Sequence, residues 1–80
     1  MSEIEDRAMS HLMMIEKMYG TKILNRDELA RFIAQNVSDQ KKVLKVGYYL
    51  TSWLAMNKAG KEVTIPTHAL QPILQKLAAE

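Results

Sequence analysis

The chain of 80 residues contains no cysteine. That excludes a disulfide framework, a thiol nucleophile and a thiolate metal site, so stability must come from packing or from a partner. Proline and glycine are scarce, at two and three residues, and their positions cut the chain into four segments. No apolar run reaches the roughly 20 residues needed to span a bilayer, because the longest, Val43 to Met56, has Lys45 inside it. The acidic start, with Glu3, Glu5 and Asp6, lacks the positive segment of a secretion signal. A cytoplasmic location is therefore expected.

With 48% hydrophobic and 25% charged residues, the composition predicts one small domain over residues 1–80. A chain of this size buries only roughly 60–65% of its unfolded surface, which leaves room for a partner or a second copy to complete the core. The net charge of +2 is unevenly distributed. Residues 1–40 hold five basic and seven acidic side chains, whereas residues 41–80 hold six lysines against two glutamates.

Four segments emerge. Ser2 and Glu5 have capping-box spacing, and Ile4, Ala8, Leu12, Ile15 and Met18/Tyr19 recur at helical intervals, so a helix is expected up to Gly20. Asn25 as cap, Glu28 three positions later and the Leu24/Leu29 staple predict a second helix over about residues 26–35, buried through Leu29, Phe32 and Ile33. From Ser38 two readings stand. If Gly47 stops the helix, residues 38–46 are a short helix and 48–54 a strand, turned back by Asn57-Lys58-Ala59-Gly60 into a second strand over 61–65. If Gly47 is tolerated, at a cost of about 1 kcal/mol against Ala, one helix runs to Asn57. After Pro66, Thr67 to Leu70 suit a single turn, and Leu70, Ile73, Leu74 and Leu77 form the stripe of a last helix with Pro72 in its first turn.

Catalysis needs converging groups, and none are apparent. His11 and His68 are distant in sequence, and Asp27 and Glu28, being adjacent, diverge by about 100° on a helix. With no glycine-rich phosphate loop and no second metal ligand near His68, neither an enzyme nor a cofactor or metal site is expected. Two features point instead to binding. Five of the six methionines fall in residues 1–18, so Met9, Met13, Met14 and Met18 are either core filler or an adaptable face for a partner or a second copy. Lys41, Lys42 and Lys45, with Lys58 and Lys61 later, are either solvated surface or a ridge able to meet phosphates. Tyr48, Tyr49 and Trp53 are either core or a stacking platform for bases.

The stretch Ile23-Leu24-Asn25-Arg26-Asp27-Glu28-Leu29-Ala30-Arg31-Phe32-Ile33, then Val37-Ser38 and Val43, resembles the excisionase-like winged helix-turn-helix family. Gly60-Lys61-Glu62-Val63-Thr64-Ile65 and the last helix are similar to that family's wing strand and final helix, so the resemblance spans about residues 20–79. Ala34-Gln35-Asn36 stands where the family usually has one glycine, which implies a longer turn. The resemblance implies a mainly α, three- to four-helix domain: a Met-rich helix over 1–20, then a helix-turn-helix core over 23–79 with a short β-hairpin wing (48–54, 61–65). It implies a DNA-binding accessory or transcriptional-regulator protein. Helix 38–46 would enter the major groove of double-stranded DNA with Gln40, Lys41, Lys42 and Lys45, while Asn36 and Ser38 lie near the backbone and Lys58 and Lys61 on the wing. The N-terminal helix would then serve homodimerisation. The alternative is a small helical protein-interaction module, an inhibitor or adaptor, that docks through Met9, Met13, Met14 and Met18.

Overall fold

Capping and stripe patterns resolve into four helices and one pair of very short strands in the computed structural model, which describes residues 2–80. The domain is mainly helical. Ser2 Oγ accepts the Glu5 amide at 3.0 Å and starts α1 (Glu3–Tyr19). Gly20 ends it in the left-handed conformation at φ 62°, where any other L residue is strained. The buried stripe of α1 is Ala8, Leu12 and Ile15; Met18 and Tyr19, expected to extend it, are exposed.

Strand β1 (Lys22–Ile23) leads into α2 (Arg26–Asn36), which buries Leu29, Ala30 and Ile33. Leu24, expected to staple onto the fully buried Leu29, is instead more than half exposed. The three residues Ala34-Gln35-Asn36 are not a turn, because α2 carries on through them and the link to the next helix is Val37 to Asp39. Asp39 rather than Ser38 caps that helix, its Oδ1 accepting the Lys41 amide at 2.8 Å.

The third helix decides between the two readings of the middle of the chain. α3 (Gln40–Met56) is continuous, so residues 48–54 form no strand and there is no hairpin wing. Val43, Val46, Gly47, Leu50 and Leu54 make one buried helical stripe, and this burial outweighs the strand preference of Tyr48, Tyr49, Thr51 and Trp53. Gly47 lies where α1 crosses α3: a Cβ there would stand 3.6 Å from Ile15 Cδ1 and 3.9 Å from His11 Cβ. Both are ordinary contacts.

The turn after α3 is a Schellman closure, with the Ala59 amide donating to Leu54 O and the Lys58 amide to Ala55 O. Its left-handed residue is Lys58, at φ 50°, and not Gly60. The chain then enters β2 (Glu62–Val63), which pairs in parallel with β1, Lys22 opposite Glu62 and Ile23 opposite Val63. Of the strand expected over 61–65, only this core is regular, and its partner is the link between α1 and α2. A single 3₁₀ turn, Thr67–Ala69, precedes α4 (Leu70–Ala79), whose Leu70, Ile73 and Leu77 complete the core with Ile65. Among the described residues no helix is long and apolar enough to cross a membrane.

Candidate functional site

The sheet corner is fastened by three side chains. Glu16 on α1 accepts the Ile23 amide at 2.7 Å through Oε2 and pairs with Arg26 through Oε1, joining α1, β1 and the start of α2. The buried Thr21 donates through Oγ1 to Gly60 O at 2.7 Å. Asn25, expected to cap α2, makes no cap bond; its amide spans Ile65 instead, Nδ2 donating to Ile65 O at 2.6 Å and Oδ1 accepting Ile65 N at 3.1 Å. The side chain thus ties down the backbone two residues beyond the end of β2.

Beside this corner lies a groove of 760 Å³. Ser10, Met13, Met14 and Lys17, spaced i, i+3, i+4 and i+7, put its α1 wall on one helical face. Lys22 and Lys61 stand on the other side, side by side because the Lys22 amide donates to Lys61 O at 2.7 Å. Met13 and Met14 are 49% and 56% exposed, and Met18, one turn beyond Met14, is 67% exposed. Met9 differs: it is half-buried against the core. The groove's single carboxylate, Glu16, is occupied by Arg26, and Lys17, Lys22 and Lys61 form no ion pair among the described residues. The groove thus sets exposed thioethers beside positive charge, which gives adaptable apolar contact next to a cationic rim.

The residues proposed for a nucleic-acid ridge are not gathered in one place. Lys41 and Lys45 are exposed and Lys42 is half-buried near the start of α3, whereas Lys58 and Lys61 lie past its far end. From Lys45 to Met56, the end of α3, the helix alone rises roughly 16 Å, and Lys58 lies beyond it. Gln40 Nε2 donates to Glu3 Oε1 at 3.0 Å, and Asn36 Nδ2 donates to Phe32 O at 2.8 Å. Lys45 pairs with Glu80, whose carboxylate holds the ammonium pKa above its usual value. Ser38 is exposed in the α2–α3 link, beside the Asp39 carboxylate. Tyr49 and Trp53 are half-buried and Tyr48 is exposed, its ring edge-on to Tyr49 at 5.7 Å.

No protein-family model, curated protein or solved structure matches this chain. The site must be judged on its own geometry. Sequence reasoning singled out Met13, Met14 and Lys61 but missed Lys17, Lys22 and Arg26. The α1 half was legible, since Ser10, Met13, Met14 and Lys17 share a face opposite the buried stripe. The other half was not, because Lys22 and Lys61 meet only through a parallel pairing that no local pattern announces.

Proposed function

We propose that this chain is a small helical protein-interaction module that takes an acidic, apolar segment of a partner protein into the groove beside β1. One observation carries the reading: Met13 and Met14 share that groove with three lysines, Lys17, Lys22 and Lys61, that form no ion pair among the described residues. Exposed thioethers give adaptable apolar contact, and the lysines steer and orient an acidic segment. Met18 extends the apolar face, while Met9 belongs to the core side.

The test is a titration with a synthetic amphipathic peptide, one face Leu/Phe and the other Glu, followed through the methionine methyl resonances. Shifts are expected at Met13, Met14 and Met18, with affinity lost in the Lys22→Glu/Lys61→Glu double variant. Unmoved methyl signals at saturating peptide, or binding indifferent to the charge reversal, would sink the reading.

The DNA-binding reading keeps one supporting observation, the three-residue link Val37 to Asp39, which has helix-turn-helix length and leaves Lys41 exposed on the first turn of α3. Against it stand the engagement of Gln40 and Lys45 and the capping carboxylate of Asp39, which repels phosphate. Binding of a random duplex at about 50 mM salt that weakens steeply by about 200 mM, with shifts confined to residues 36–45, would favour it over the peptide groove.

A further inference from the structure

A second groove, of 580 Å³, opens between the last turns of α3 and the first turns of α4, and it shares no residue with the first. Tyr49, Trp53 and Met56 form one wall at i, i+4 and i+7, and Pro72 and Lys76 belong to the other. Its volume lies within the range of small-molecule sites, about 300–1,000 Å³. The chemistry is one-sided. Among the described residues no acidic side chain lines the groove, while Lys76 and His68 do, and Lys76 Nζ sits 5.2 Å from the Tyr49 ring centroid. The ammonium is therefore held over an aromatic surface, and no carboxylate pairs with it among the described residues.

We infer that this groove binds a small aromatic carboxylate, its ring packed along Trp53 and Pro72 and its carboxylate paired with Lys76. A planar ring can stack on the indole of Trp53 and pack against the apolar methylenes of Pro72, both of which line the groove. A single negative charge matches the single ammonium, which a neutral apolar ligand would leave unused and a cation would have to displace. Met56, 81% exposed at the rim, can fold over a bound ring because its side chain is long and unbranched.

Trp53 is the sole tryptophan of the chain, so its fluorescence reports this groove alone. We would titrate the full chain with 1-naphthoate, and with uncharged 1-naphthamide as the control, reading Trp53 emission. Saturable quenching is expected with naphthoate, weaker by about three- to tenfold with naphthamide and, for naphthoate, in Lys76→Gln. Lys76 is exposed, so that variant should keep the parent far-UV spectrum, and Lys76→Arg should restore most of the affinity. Equal affinity for the acid and the amide, an unaffected Lys76→Gln variant, or no saturable quenching would overturn the proposal. So would displacement of naphthoate by an amphipathic helical peptide that binds more tightly, since the groove would then be a protein-docking cleft. None of these outcomes depends on the methionine groove.

Discussion

The α1–α3 crossing and the β1–β2 corner hold the same domain together by different means. At the crossing, Leu12 and Ile15 of α1 and Val43, Val46 and Leu50 of α3 are buried, and Gly47 faces α1 with room for a Cβ at ordinary contact distance. At the corner, strands of two residues each offer little area, and Glu16, Thr21 and Asn25 supply directed hydrogen bonds to backbone groups of other segments. Apolar area is non-directional and forgiving of shape; a hydrogen bond to a half-buried amide has one geometry and leaves an unsatisfied group when lost. The corner should therefore react to chemistry and the crossing to volume.

That contrast can be broken in graded steps, the largest at the crossing. Leu50→Ala removes a fully buried side chain and should cost about 2–5 kcal/mol in urea unfolding. At the corner, Glu16→Ala should cost about 1.5–3 kcal/mol, the usual range for bonds to a charged group, and most of that loss should be shared with Arg26→Ala in a double-mutant cycle. Additive single losses would show that the carboxylate acts only through the Ile23 amide. Asn25→Ala should cost about 1–2 kcal/mol, because it strips both backbone groups of Ile65 at once; a change below about 0.3 kcal/mol would mean that water replaces the amide. The sign should reverse at Gly47→Ala, which relieves a mid-helix glycine with only ordinary contacts to meet and should stabilise by about 0.5–1 kcal/mol. A loss there would show that the crossing is tighter than it looks. The smallest effect is expected at Lys58→Gly, a gain of at most about 1 kcal/mol from freeing a left-handed lysine, read as a rise in Tm.

How much of this was legible follows the same division. The first, second and last helices and most of their buried stripes were visible in the spacing of apolar residues and in Ser2 and Gly20, because helical order is local, whereas the extent of α3 beyond Gly47 was left open. The corner was not. Asn25 has the right type and place for a helix cap, yet its amide goes to Ile65, 40 positions away, and nothing near either residue signals that. The wing failed because β-branched and aromatic residues suit a strand and a half-buried helix face alike, and the fixed stripe through Val43, Val46, Leu50 and Leu54 decides the matter. Of the two readings left open at Gly47, the tolerated glycine holds, and in the turn after α3 the positive φ falls on Lys58. At the candidate groove, the thioethers could be read from α1 alone, whereas the lysine rim depends on the strand pairing.

The pairing of Lys22 with Glu62 joins residues 40 positions apart, and that separation bears on when the corner is expected to form during folding. Every helix can form from neighbouring residues, but this ladder must close a loop of 40 residues, at an entropic cost of roughly 3 kcal/mol by the (3/2)RT ln n rule plus a constant. Two residue pairs recover little of that until the helices between them are already packed. The corner should therefore be absent from the folding transition state, so that Asn25→Ala speeds unfolding and leaves the refolding rate nearly unchanged, while Leu50→Ala slows refolding. The basic rim of the candidate groove, whose Lys22 and Lys61 are brought together by this pairing, would then be the last part of the molecule to assemble and the first to come apart.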